Sequence, residues 1–239
     1  MNTKAIFERQ SLIVGEGATK KLKNSTVALF GVGGVGSYAA EALARCGVGK
    51  IVLIDHDTVS ESNINRQLCA LTSTVGRLKV EVTAQRLRDI NPELEVVTLA
   101  EFFLPENADS FDFKSYDFVI DAIDTVSAKV EIAVRCNEAG VPMISSMGTG
   151  NKLDPTALRI SDLAKTSGCP LARVMRRELK KRGITHLPVV YSEEAPIKPI
   201  DDVRSESGKP TPGSIAFVPS VAGLYAASVA VKHLIKDGN

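Results

Sequence analysis

Residues 29–36 read LFGVGGVG, residues 53–57 LIDHD and residues 62–67 SNINRQ, with a lysine at position 79. Just upstream, Thr26-Val27-Ala28-Leu29-Phe30 is a short β-branched and apolar run ending in glycine, the profile of a buried parallel strand. Gly31, Gly33 and Gly36 fit G-x-G-x-x-G, and Gly34 is an extra glycine. Glycine lets such a turn approach a phosphate closely, and the helix expected from about Gly34 to Cys46 presents free N–H groups to it. The next expected strand, Lys50 to Ile54, delivers Asp55 nineteen residues after Gly36, where an acidic side chain accepts from ribose hydroxyls. Glycine-rich turns also occur with nothing bound. Strand, helix and acid at these distances together predict a nucleotide site.

Outward from this turn, strands and helices alternate. Helices are expected near Arg77 to Ile90, stopped by Asn91-Pro92, and from about Ser127 to Ala139. Strands are expected at Leu94–Leu99, Tyr116–Asp121 and Pro142–Ser146. That alternation predicts an α/β fold with a doubly wound, Rossmann-like, mostly parallel sheet. The second half is less regular, with a strand near Leu158, a helix from Pro170 to Arg182 and a strand at Leu187–Tyr191. A polar crossover loop, residues 193–213, holds four prolines, and an apolar segment from Gly213 to Ile235 closes the chain. We read a single domain, 1–239, with a nucleotide-binding half at 1–150 and a substrate-binding half at 151–239. The apolar segment contains Pro219, Ser220, Ser228, Lys232 and His233, so a buried strand plus core helix is expected there rather than a membrane span.

Composition bounds the partners. The chain has 239 residues, 44% of them apolar, and a net charge of +1, so a full core is available and no overall field attracts polyanions. No DNA partner is expected, and any nucleic-acid contact must be a local patch. The four cysteines (46, 69, 136 and 169) form no C-x-x-C pair, which argues against a zinc ribbon or a disulfide framework. The first ten residues carry no apolar signal core, and a cytoplasmic protein is expected.

No G-x-x-x-x-G-K-[ST] is present, so the charge on bound phosphates must be met by side chains elsewhere. Asp55 and Asp57 stand together at one strand end, followed by Asn63, Asn65, Arg66 and Gln67 on a loop and by Lys79 at a helix start. Asp121 and Asp124 end the fourth strand at the edge where open sheets of this type bind ligands. Cations to hold a polyphosphate and an acid to hold Mg²⁺ are the parts that phosphate chemistry needs. Other roles stay open for two of them: Asp57 can cap a turn and Asp121 the following helix. His56, His186 and His233 share no metal-ligand spacing.

The run G-x-G-G-x-G, D-x-D-x-V-x-x-S-N-x-N-R-Q, Lys and D-x-x-D resembles the adenylating superfamily of ubiquitin-activating-type enzymes, which includes the activators of the thiamin and molybdopterin sulfur carriers. The motifs cover residues 9–127. The resemblance implies ATP and Mg²⁺ as cofactors and a carboxylate turned into an acyl-adenylate. Asp55 would hold the ribose, Asn63, Arg66 and Lys79 the phosphates, and Asp124 the Mg²⁺, with Gln67 and Asp57 in the same pocket. Arg9 matches an arginine that reaches the nucleotide of a second subunit, which implies a homodimer. Members acting on ubiquitin-like tails usually carry C-x-x-C zinc pairs or a crossover cysteine, and neither occurs here.

The second half has its own signal. Arg173, Arg176, Arg177 and Lys180 fall on one helical stripe with Lys181 and Arg182 beside it, opposite an apolar stripe of Leu171, Val174, Met175 and Leu179. The strings Asp154-Pro155-Thr156, Asp162 to Thr166, Pro170-Leu171-Ala172 and Val190 to Glu194 resemble the branch that dehydrates N6-threonylcarbamoyladenosine in tRNA to its cyclic form. Cys169 departs from that branch, where an aspartate commonly stands. The resemblance implies a tRNA partner held by the basic helix. The alternative is adenylation of a ubiquitin-like sulfur-carrier protein, with a cysteine desulfurase or other sulfur acceptor as partner and Cys169 as its only candidate thiol in this half.

Overall fold

The computed structural model describes residues 3–201, 208 and 211–236. Seven strands form one sheet in the order β3-β2-β1-β4-β5-β7-β6. They are β1 (Thr26–Phe30), β2 (Lys50–Ile54), β3 (Glu95–Leu99), β4 (Phe118–Asp121), β5 (Met143–Ser146), β6 (Leu158–Asp162) and β7 (Pro188–Ser192). Every pairing is parallel except that of the edge strand β6 with β7. The order reverses between β1 and β4, and open α/β sheets bind ligands above the carboxyl ends of strands at such a switch.

Alternation along β1 explains why both faces of the sheet are covered. Val27 and Leu29 pack with α2 (Gly36–Arg45), α3 (Lys79–Ile90) and α6 (Phe217–Leu234). Ala28 and Phe30 pack on the opposite face with α4 (Val126–Ala139) and α5 (Pro170–Lys180). Phe30 centres an aromatic group there, edge-on to Phe103 at 5.0 Å and stacked on Phe113 at 5.6 Å. A strand buried on both faces has no polar side to show, which is why β1 reads as an unbroken apolar run.

Three departures from the sequence reading have physical reasons. First, residues Thr3–Lys23 form α1, kinked at Gly15 (φ 82°), where the sequence suggested only a polar segment. Tertiary contact holds it: Gln10 Nε2 donates to Cys46 O at 2.9 Å, and Phe7 packs over Gly47. Second, no strand precedes α6 among the described residues of the apolar segment. By length and composition α6 could cross a membrane, yet Val218, Ala222, Ala226 and Ala230 are wholly buried in the core shared with α2. The helices approach so closely that a Cβ on Gly223 would lie 2.2 Å from Val35 O. Third, residues 202–207, 209 and 210 of the expected crossover lie outside the described residues. Its described ends meet at Asn151, which accepts from Ile197 N–H at 2.8 Å through its carbonyl and from Gly213 N–H at 2.6 Å through Oδ1.

Candidate active site

The carboxyl ends of β1, β2, β4 and β5 open into a cavity of ≈ 670 Å³. The glycine turn forms its floor, and two glycines there are steric necessities. Gly31 adopts φ +88°, and a Cβ on it would meet Ala122 O at 2.7 Å. A Cβ on Gly36 would lie 1.8 Å from Gly31 O. The turn can therefore be this tight only without side chains, and it carries Gly33 and Gly34 to the cavity wall at the start of α2.

Asp55 has a structural task in the turn. Its Oδ2 accepts from Val32 N–H at 2.7 Å and its Oδ1 from Asp57 N–H at 2.8 Å, so one carboxylate pins the glycine turn to the end of β2. Each oxygen keeps acceptor capacity for a hydroxyl. Lys79, almost fully buried at the first turn of α3, donates to Asp57 Oδ2 at 2.7 Å. Asp57 is thus an ion-pair partner rather than a turn cap, and its outer oxygen lies 3.2 Å from His56 Nε2. Arg66 is aimed by Ser62 O and Asn65 Oδ1, both at 2.8 Å. Asn63 Oδ1 accepts from Ser60 N–H at 3.2 Å and caps the short 3₁₀ turn that presents the loop. Gln67 is buried at the cavity edge.

Asp124 is exposed, with Thr125 Oγ1 at 3.4 Å its one hydrogen-bond partner among the described residues, so its oxygens face the cavity uncommitted. Such an exposed carboxylate on the cavity wall fits the oxygen donor that a Mg²⁺ ion takes. Asp55, His56 and Asp57 also cluster within 4.8 Å, but Lys79 already neutralises Asp57. Asp121 does not cap α4. It is wholly buried, accepts from Ser145 Oγ at 2.5 Å and pairs with Lys129 Nζ at 2.8 Å.

Two lysines escaped the sequence reading. Lys129, fully buried on α4, also donates to Ser146 O at 2.8 Å and Ile123 O at 3.2 Å, tying together the ends of β4 and β5 that form the cavity wall. Lys152 is buried in the wall itself. The available signal was a lysine in each case on an otherwise small or apolar stretch, S-A-K-V and T-G-N-K-L.

Arg9 does not reach this cavity. It is exposed on α1, whose docking on Cys46 places it at the end of α2 opposite the glycine turn. Ten helical residues, about 15 Å at 1.5 Å per residue, separate the two. Leu12 and Ile13 beside it are 84% and 87% exposed, an apolar patch at the same end of α1.

The basic helix is corrected in part. Arg176 turns inward, where its guanidinium donates to Thr166 O at 2.7 Å, Leu163 O at 3.1 Å and Thr166 Oγ1. Arg177, Lys181 and Arg182 all converge on Glu178. Among the described residues Arg173 and Lys180 have no partner and remain open to a polyanion. The buried side is Ala172, Met175 and Leu179, with Leu171 and Val174 only half-buried. None of the four cysteines is exposed. Burial pushes the Cys46, Cys69 and Cys136 thiols up, away from the reactive thiolate, and Cys169 is buried as the residue that precedes α5.

Fold and cavity define an α/β protein of the nucleotide-binding type that lacks a lysine-bearing phosphate loop, with Arg66 from a loop and Lys79 from a helix start lining the cavity. The chain belongs to the ThiF family, which it matches over residues 7–239. It is 48% identical to the tRNA threonylcarbamoyladenosine dehydratase of Bacillus subtilis, over 97% of this chain and 95% of that one. Identity to the Escherichia coli protein of the same name is 38%, over 96% and 92%. The crystal structure of E. coli tRNA N6-threonylcarbamoyladenosine dehydratase, TcdA, in complex with ATP superposes with a TM-score of 0.88 at 36% identity, covering 97% of this chain and 94% of that one.

Proposed function

We propose that this chain is an ATP-dependent tRNA threonylcarbamoyladenosine dehydratase, acting in the cytoplasm on the modified adenosine beside the anticodon. The observation that carries the reading is the cavity itself. Asp55, the glycine turn, Arg66, Lys79 and the exposed Asp124 line one cavity, in a chain 48% identical to a dehydratase of that name.

Each group has a role in the chemistry. The glycine turn and the N–H groups at the start of α2 receive phosphate oxygens. Asn63 and Arg66 hold the triphosphate, and Lys79 can exchange Asp57 for phosphate without leaving its buried site. Asp124 would hold Mg²⁺, which supplies charge neutralisation on the departing pyrophosphate. The threonyl carboxylate then attacks the α-phosphorus and pyrophosphate leaves. A nitrogen of the same modified side chain attacks the activated carbonyl carbon, which closes a five-membered ring. The carboxylate oxygen departs on AMP, so the nucleoside loses one water. Intramolecular attack has a high effective molarity, and no protein nucleophile is required. Four unexposed cysteines suit this route better than sulfur or thioester transfer.

Arg9 completes the site from a second copy. On its own chain it stands at the wrong end of α2, while exposed Leu12 and Ile13 supply an apolar surface for pairing. Arg173 and Lys180 would contact tRNA phosphates, positioning the substrate without reading sequence.

The test is incubation with Mg-ATP and tRNA bearing the linear modification, followed by mass spectrometry of the nucleosides. Loss of one water with AMP formed in step is expected, and each of Arg66→Ala and Lys79→Ala should lower turnover by about a hundredfold or more. Pyrophosphate exchange that depends on a small carrier protein, with no change in the nucleoside, would replace this reading by the sulfur-carrier one.

A further inference from the structure

Among the described residues three lysines are buried, and their electrostatic situations differ. Lys79 has Asp57 and Lys129 has Asp121. Among the described residues Lys152, only 4% exposed, has no carboxylate within ion-pair distance, and its Nζ donates to a single acceptor, the backbone carbonyl of Glu194. The Glu194 carboxylate, the nearest acid in sequence to that carbonyl, is spent elsewhere. It accepts from Leu153 N–H at 2.9 Å and Asp154 N–H at 3.0 Å, which fastens the end of β7 to the segment after β5. An ammonium has three donors, so two of Lys152's have no acceptor among the described residues of the wall. A buried charge without a counter-charge is costly and is retained where a ligand supplies the missing one.

Its position says which ligand. The nucleotide-side groups come from the ends of β1, β2 and β4 and from α3. Lys152 follows β5, on the side of β7, next to the start of α5 at Pro170 and the returning crossover at Pro212 and Gly213. A cation there lines the same cavity as Asp55 from across the switch point.

We propose that Lys152 binds the carboxylate of the incoming substrate, pairing it before adenylation and holding it beside the triphosphate that would otherwise repel it. This rests on the dehydratase reading, in which that carboxylate belongs to the threonyl group. Lys152 is then a specificity residue: it distinguishes tRNA carrying the acidic modification from the same tRNA with plain adenosine. Once the acyl-adenylate forms, the negative charge is gone and the ammonium releases the carbonyl to ring closure.

Lys152→Met keeps the length and removes the charge. Binding of two tRNAs, one with the linear modification and one with unmodified adenosine, would be measured for wild type and variant, together with KM for each substrate and thermal stability. Wild type should prefer the modified tRNA by about ten- to a hundredfold, the worth of a charge-assisted contact. Lys152→Met should lose that preference, with affinity for unmodified tRNA and KM for ATP unchanged and Tm equal or higher. Lys152→Arg should retain part of the preference. Three results overturn the inference: a variant that keeps the preference, equal weakening toward both tRNAs (a phosphate contact), or a fall in Tm with the preference intact (a purely structural tie to Glu194). Wild-type enzyme that forms no cyclic nucleoside would instead overturn the dehydratase reading.

Discussion

Replacing Lys129 by methionine probes the hidden support of the site. Lys129 Nζ holds Asp121 Oδ2 at 2.8 Å, Ser146 O at 2.8 Å and Ile123 O at 3.2 Å, and both charged side chains are wholly inaccessible. Methionine fills the same volume but leaves Asp121 with only Ser145 Oγ and the Ile123 N–H. Removing one member of a buried pair costs about 3–5 kcal/mol, because the remaining charge stays desolvated. Against a stability of about 5–15 kcal/mol for a domain, that is a large fraction. Adding Asp121→Asn removes the stranded charge, and the double variant should recover most of the loss. Urea unfolding followed by circular dichroism, at one pH and with all four proteins of the cycle, gives the coupling directly. ATP affinity should fall in Lys129→Met beyond what the stability loss predicts, since Ile123 O is the handle that places Asp124. A single variant within about 1 kcal/mol of wild type, or a double variant as unstable as the single, would refute the assignment.

Three further outcomes are expected. Arg9→Ala and Asp124→Ala should each be inactive alone. Mixed after exchange of subunits, they should regain about a quarter of wild-type activity, because half the dimers then carry one complete site; no recovery on mixing would place Arg9 outside the partner's site. Arg173→Ala with Lys180→Ala should lower the slope of log Kd against log salt for tRNA by about 2, whereas Arg176→Ala should leave the slope unchanged and cost stability through Thr166 and Leu163. The thiols give a pH dependence whose sign follows from their raised values. Folded Cys46, Cys69 and Cys136 keep protons that the unfolded chain sheds above about pH 8.5, so their contribution is whole below that pH and declines as pH rises past it. Denaturation midpoints from pH 7 to 10 would show the fall, and native protein should resist alkylation by iodoacetamide across the lower part of that range.

The sequence by itself determined the sheet and the nucleotide corner. Strand alternation, the glycine turn and the acid after β2 are local features, and local sterics leave few other ways to build them. β1 to β5 accordingly fall within two residues of where periodicity put them. Lys79 was legible as the start of a helix and Asp124 as lying just past a strand end, while Asn63 and Arg66 could be placed only on the loop before Lys79, and all four line the cavity. What tertiary structure decided is who neutralises whom. Asp57 with Lys79, Asp121 with Lys129 and the inward turn of Arg176 join residues 8 to 22 positions apart, and no periodicity distinguishes a solvated lysine from a buried one. α1 eluded the sequence because its stability comes from docking on Cys46 and not from its own amphipathic pattern. The same holds for Lys152: only folding reveals a cation sealed into a wall with its nearest acid already taken, since burial and pairing are properties of the whole sheet and its returning loops.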